Sequence, residues 1–299
     1  MRYGYFLPES QGPDPIGELR DQIARAADDG FTSAWHPQIF GLDALTALAA
    51  AGAQAPPIEL GTSVVPTYPR HPAVLAQQAM TANAALGGRL TLGIGLSHQI
   101  VIEQMYGYNF ERPVRHMKEY LDVLLPVSRG EQVDYRGETV KANVRLSTPG
   151  AGFPVLLAAL GPRMLKLAGT VADGTVLWMT GPKTVAEHIA PTITAAAAEA
   201  GREPPRIVCA LPTCVTDDRE AAVARVNEIL AGYGQLPSYR AMLDREGAAT
   251  PGDVAIIGDE DAVLAKLEEL RQAGVTDFVA SVISKRERTR NLLIGAAKG

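Results

Sequence analysis

Cysteine is almost missing from this chain: its 299 residues include two, Cys209 and Cys214. Their odd spacing puts them on opposite faces of a single strand, which argues against a disulfide framework and for two reduced thiols in a cytoplasmic protein. The five histidines (His36, His71, His98, His116 and His188) are scattered. No His-x-His or His-Glu-x-x-His spacing occurs among them, so no metal site is expected. There is no long basic block and the net charge is −5, which sets nucleic acid and anionic membrane aside as main partners. No apolar run approaches the roughly 20 residues of a membrane span. The opening MRYGYFLPES is too short an apolar run for a secretory signal. Low-complexity linkers and repeats are lacking too, apart from an alternation of strands and helices.

What is present is an ordinary globular composition, 46% apolar and 20% charged, in a chain long enough for a full core. A single domain over residues 1–299 is expected. Eight apolar strand patterns alternate with helical ones: Tyr3–Leu7, Ser33–Trp35, Ile58–Val65, Leu90–Ile94, Pro154–Leu160, Thr175–Met179, Arg206–Thr213 and Asp277–Ile283. The spacing predicts helices over Ile16–Asp28, from Asp43 to Ala51, from Pro72 to Leu86, and over Val114–Ser128, Thr184–Ala200 and Asp261–Ala273. Another, capped by Asp217 or Asp218, runs to Leu230, and Arg286–Ala296 closes the chain. Parallel strands with helical crossovers imply an α/β fold, and eight such units a (β/α)8 TIM barrel. Two stretches break the rhythm. The one after strand four alternates over Gln132–Leu146 like a small antiparallel insertion; the one after strand seven, Gly232–Thr250, is irregular with a short helix of its own.

In such a barrel the functional residues stand at the C-terminal ends of the strands. Those ends hold Glu9, His36 and Gln38, Val64 to Tyr68, Leu96 to His98, Leu160 to Arg163, Met179 to Gly181, and Ser284. The exit of strand eight, Ser284-Lys285-Arg286, lacks the glycine of the common barrel phosphate site. Glycine turns lie after strands five and six instead, in PVLLAALGPRMLKLAGTVADGTVLWMTG. Gly161-Pro162 feeds a helix whose first N–H groups and dipole make a ready anion site. An ordinary βαβ turn accounts for the same residues, and these residues alone leave both readings open.

The chain resembles the bacterial luciferase-like monooxygenase superfamily of flavin and deazaflavin enzymes. The resemblance rests on an ordered set of segments: GFTSAWHPQ, ELGTSVVPTYPRHPAVLAQQA, LGGRLTLGIGLSH, the proline-to-glycine stretch above and GDEDAVLAKLEELRQAGVTDF. Within the family the text is most similar to oxidoreductases that use coenzyme F-420, an 8-hydroxy-5-deazaflavin. The resemblance implies a ring held over the barrel mouth, with a non-proline cis peptide at Ser63-Val64 against it, and Leu96, Ser97, His98, Ala159 and Met179 around it. It implies a cofactor phosphate at Gly161, Pro162 and Arg163, with Thr180 and Gly181 opposite. By the same resemblance Arg112, Arg115 and Lys118 face either an oligoglutamate tail or solvent. His36 matches a proton-transferring histidine near the reactive carbon, a role suited to imidazole at neutral pH; a structural histidine is the competing reading. His98 either contacts the ring, the side chain of the cofactor or the substrate, or is a loop histidine, and Glu9 is either a proton partner of His36 or a solvated carboxylate. His71, His188 and Trp178 are expected to be structural. The implied activity is hydride transfer between the deazaflavin and a small organic substrate. The alternatives are an FMN-dependent monooxygenase and a cofactor-binding protein without catalysis. Homodimers are usual in the family. No basic cluster suited to a sugar phosphate is evident.

Overall fold

The computed structural model describes residues 1–10, 12–148 and 150–298, so Gly299 lies outside the described residues. Eight parallel strands form a closed ring: β1 (Arg2–Phe6), β2 (Ser33–His36), β3 (Glu59–Thr62), β4 (Leu90–Gly95), β5 (Val155–Leu157), β6 (Gly174–Trp178), β7 (Arg206–Val215) and β8 (Asp277–Val282). Each pairs in parallel with the next, and β8 pairs back onto β1. The helices that cover the ring are α1 (Pro15–Asp28), α2 (Ala44–Gly52), α3 (Pro72–Ala85), α4 (Pro113–Ser128), α5 (Pro162–Val171), α6 (Ala190–Glu199), α7 (Arg219–Ile229), α8 (Pro237–Glu246), α9 (Glu260–Gln272) and α10 (Arg286–Lys298). Among the described residues no helix is long and apolar enough to cross a membrane.

Local chemistry explains where the helices begin. Asp14, Asp43, Asp218 and Asp259 each accept a backbone N–H of the first turn, at 2.9–3.0 Å. Such caps satisfy donors that the helix cannot. Proline opens α1, α3, α4, α5 and α8, where its missing N–H costs nothing. Gly30, at φ 89°, stops α1.

The barrel interior is layered. At the floor, where the strands begin, the Arg206 guanidinium donates to Asp277 at 2.7 Å and to Glu59 at 2.9 Å. Thr91 donates to Glu59 at 2.8 Å, and Arg2 reaches both carboxylates. Asp277 is 1% exposed. Above the floor, Trp35, Leu156, Val176, Val208, Ala210 and Val279 pack together, with Phe6, Val64 and Trp178 against them. The Trp35 indole N–H donates to Ser33 at 2.9 Å. A side chain at Gly61 would collide with the indole ring, which is why glycine stands inside β3. Trp178 stacks on Phe6, centroids 5.9 Å apart, and is a packing residue as expected.

Several expected boundaries shift. The third strand is not continuous to Val65: β3 ends at Thr62, and a two-residue segment, Val65–Pro66, rejoins β4. The helix placed over Thr184–Ala200 starts at Pro182 and includes a π-turn at Val185–Ile189. β7 runs on to Val215, where it takes a further parallel strand, Ile256–Gly258, that sequence periodicity did not reveal. The insertion after β4 is the expected hairpin, Val133–Arg136 against Lys141–Val144. It hangs on α4 through Glu119, whose carboxylate accepts N–H groups of Glu138, Thr139 and Val140. The insertion after β7 holds a single turn at Ala231–Gly234, then α8, then a 3-10 turn at Pro251–Val254.

Asp277 is the fully buried member of the floor network, and without it the partly exposed guanidinium groups of Arg206 and Arg2 share Glu59 alone. Asp277→Ala is expected to cost about 3 kcal/mol of unfolding free energy. A urea melt that loses less than about 1 kcal/mol, the scale of an exposed ion pair, would contradict a load of buried charge at the floor.

Candidate active site at the C-terminal rim

The rim forms where β3 breaks. The pairing of β3 with β4 reads Gly61 opposite Thr91, and Val65 opposite Ile94 on resumption. Three residues, 62 to 64, therefore face two, 92 and 93, which is a bulge with one extra residue. The Ser63–Val64 peptide within it is cis, as the resemblance implied. The Thr62 hydroxyl fills the gap in the ladder, donating to the Gly93 carbonyl at 2.8 Å and accepting its N–H at 2.9 Å. A Cβ at Gly95 would lie 2.7 Å from a Val64 methyl and 3.1 Å from Ala158. The LGIG pattern of β4 thus makes the room that Val64 occupies beside β5.

The Ser63 N–H donates to the His36 carbonyl at 2.9 Å, which ties the bulge to the end of β2. The His36 side chain belongs to a residue only 1% exposed. Its Nδ1 is buried with no hydrogen-bond partner. Burial holds its pKa below the usual histidine value, against a weaker backbone hydrogen bond at Pro37, so the ring is neutral at pH 7. Glu9 supplies a second buried oxygen without a partner, Oε1, and its carboxylate packs over Gly41, where a Cβ would come within 2.6 Å. Unpaired buried polar atoms are rare in folded proteins, and two occur at the ends of neighbouring strands here.

His98 follows Ser97, which holds a left-handed φ of 62° at the end of β4. Its ring lies 5.4 Å from that of Tyr239 and 6.4 Å from that of Tyr233, and the tyrosine rings are 5.7 Å apart. Burial lowers the pKa of His98. Burial raises that of Tyr233, with Glu9 adding to the effect. Past the end of β5, Ala159 is buried, and the Leu160 carbonyl accepts from His188 Nε2 at 2.8 Å. His188 is structural, as expected, and what it steadies is the approach to Gly161. A Cβ at Gly161 would meet nothing within 4 Å. No side chain caps α5, so the N–H groups of Arg163 and Met164 have no acceptor in the helix. After β6, Met179 is buried with a left-handed φ of 54°, an uncommon conformation for a side chain of that size. Thr180 is buried, its hydroxyl donating to the Trp178 carbonyl at 3.2 Å. Beside Gly181 lies the Glu246 carboxylate.

Other candidates fall elsewhere. Arg112 and Arg115 share the single carboxylate of Glu138, and Lys118 pairs with Asp122 at 2.7 Å, all three on an exposed face. His71 caps α3 and bonds the Lys141 carbonyl at 2.9 Å. The thiols are free and buried: Cys209 lies 3.5 Å from the Thr180 carbonyl, and Cys214 3.0 Å from the Ser284 hydroxyl. Tyr233, Tyr239 and Glu246 went unrecognised in the sequence. The available signal was two of nine tyrosines within seven residues of an otherwise unpatterned insertion.

A model of the luciferase-like monooxygenase family matches residues 1–277. The 5,10-methylenetetrahydromethanopterin reductase of Methanolobus tindarius is 29% identical over 327 aligned positions, covering 99% of this chain and 98% of its own. Among solved structures, the coenzyme F-420-dependent tetrahydromethanopterin reductase of Methanopyrus kandleri superposes with a TM-score of 0.82 at 25% identity, over 98% of this chain and 97% of that one. An F-420-dependent secondary alcohol dehydrogenase, in complex with an F-420–acetone adduct, gives 0.79 at 20% identity over 98% of this chain and 96% of that one, a likeness of fold.

His36 is expected to titrate below about 6.5, the ordinary value. Between its folded value and that point the unfolded chain binds more protons, so His36 makes stability fall as pH drops through the window. Ring-proton NMR with His36→Asn as the assignment control reads this directly; a midpoint above the ordinary value would refute a buried neutral ring.

Proposed function

The chain belongs to the luciferase-like monooxygenase family, and we propose that it is a coenzyme F-420-dependent oxidoreductase acting on a small organic substrate at the barrel rim. The observation that carries this reading is the open N-terminus of α5 beside an unencumbered Gly161, in a chain whose F-420-using likenesses run its full length. The residues fit such a group. Gly161 and the N–H groups of Arg163 and Met164 suit a phosphate, Pro162 setting the turn. Val64 would support the ring, with Ser63, Leu96, Ser97, His98, Ala159 and Met179 available around it. Thr180 and Gly181 close that side.

The deazaflavin supplies a two-electron hydride carrier. The remaining work falls to the chain. When an alcohol is oxidised, its hydroxyl proton must leave as the hydride departs from carbon. His36 Nδ1, unpaired and neutral, accepts that proton, and in the reverse direction the imidazolium returns it. Glu9 follows the neighbouring strand without a hydrogen bond to His36, its Oε1 having no partner, so the expected proton-partner role is not carried into this reading. Val64, Phe6 and Trp178 make an apolar bed beneath the reacting atoms that keeps water out.

A fluorescence titration of F-420 against FMN tests the reading. F-420 is expected to bind at least tenfold more tightly; tight FMN binding with none of F-420 sinks the proposal in favour of the monooxygenase alternative. Gly161→Ala adds a methyl into open space, so it is expected to leave the melting temperature unchanged while weakening cofactor binding about tenfold, or 1.4 kcal/mol. His36→Ala is expected to abolish turnover with cofactor affinity intact, which separates an enzyme from a protein that only binds the cofactor.

A further inference from the structure

Two glycine turns stand at the ends of adjacent strands, and they are not equivalent. The one after β5 leaves its helix N–H groups free. After β6, Pro182 has no N–H to give. The Lys183 N–H donates to Glu246 Oε1 at 3.1 Å, and the Thr184 N–H donates to Oε2 at 2.7 Å. The Thr184 hydroxyl adds a third bond to Oε2 at 2.6 Å. The Val185 N–H is bonded to the Gly181 carbonyl at 3.0 Å. Every donor of that first turn is in use, and three of the bonds end on one carboxylate of this chain.

Glu246 is the last residue of α8, and α8 also carries Tyr239, whose ring lies against His98. Seven residues of helix separate them, about 10 Å at 1.5 Å per residue. The Thr184 hydroxyl also lies 3.3 Å from the Met242 carbonyl, one turn back along α8. The last turn of the helix is therefore fixed on the β6 turn while its first turn presents a tyrosine to the β4 exit. Charge-assisted bonds from backbone N–H groups are the stronger kind, and a second anion at the same N–H groups would meet like charge.

We propose that Glu246 is an internal anion that fills the β6 turn, confining an oxyanion ligand to the β5 turn and seating the tyrosine-bearing insertion over His98. Glu246 is thus a positioning residue for the substrate side of the rim. The confinement clause rests on the reading that the rim holds a phosphate-bearing cofactor; the seating does not. A cavity of about 300 Å³ lined in part by Lys183, Glu246, Asp253 and Lys266 opens beside the carboxylate, so a small solute can reach the N–H groups once the side chain is cut back.

The test is hydrogen-exchange mass spectrometry with NMR of the His98 ring, on the full chain without cofactor. Glu246→Ala is expected to raise amide exchange over residues 237–246 about tenfold and to shift the His98 ring protons as Tyr239 leaves. Sodium acetate at 100 mM is expected to reverse both changes by replacing the carboxylate. Glu246→Gln, which keeps an acceptor oxygen in nearly the same shape, is expected to show a smaller change and no response to acetate, and it serves where the alanine variant fails to fold. Unchanged exchange and an unchanged His98 spectrum in both variants overturn the seating, as does an alanine variant that acetate does not restore. With the unsubstituted protein, inorganic phosphate at 20 mM is expected to leave exchange over 237–246 as it was; a rise means that phosphate displaces Glu246 and overturns the confinement. None of these outcomes depends on F-420 binding, so failure of the cofactor reading is seen separately in the titration.

Discussion

The guanidinium of Arg206 ties β7 to β3 across the barrel, through residues 147 positions apart in sequence, and to β8 alongside. A planar fork that must satisfy Glu59 and Asp277 together tolerates little slippage, because an unpaired buried charge costs several kcal/mol. Arg2 on β1 and Thr91 on β4 join the same carboxylates. Five of the eight strands thereby start at one level. The strands differ in length, from three residues in β5 to ten in β7, so the floor sets where five of them begin, while His36, Val64, His98, Gly161 and Gly181 follow the C-terminal ends of their strands.

The rim itself sorts into filled and unfilled polar groups. Filled ones are Thr62 in its bulge, the Leu160 carbonyl under His188, and the Lys183 and Thr184 N–H groups under Glu246. Unfilled ones are His36 Nδ1, Glu9 Oε1 and the first N–H groups of α5. Filled groups shape the wall. His36 Nδ1 and Glu9 Oε1 carry the cost of burial without a partner, whereas the first N–H groups of α5 stand at an exposed turn and are open to a ligand. This contrast favours the β5 turn over the β6 turn for a phosphate, although glycine is present in both.

The fold was legible in the sequence because its signals are local. Apolar strands such as Leu90–Ile94, aspartate caps such as Asp43 and glycine stops such as Gly30 each act within a few residues. Eight repetitions of that pattern leave few topologies. The cis peptide at Ser63-Val64 was implied by resemblance alone; periodicity read straight through the bulge around it, because Thr62 repairs the ladder with a side chain. The strand Ile256–Gly258 was missed since three residues carry no period. Glu246 was invisible for a different reason. Its partners, Lys183 and Thr184, are more than sixty positions away and contribute backbone as well as a hydroxyl, so no pattern of side chains marks the contact. The same holds for Tyr239 and His98, which only the closed ring brings together.

The stretch between β7 and β8 is secured at its edges. It leaves from a β7 lengthened to Val215, returns through Ile256–Gly258 paired to that extension, and hooks onto the β6 turn through one side chain. None of these anchors touches the floor or the β5 turn. The barrel can therefore act as a chassis and residues 231–254 as an exchangeable cover: a different cover spliced between the same two strands would change the wall over His98 while the floor and the β5 turn stay as they were.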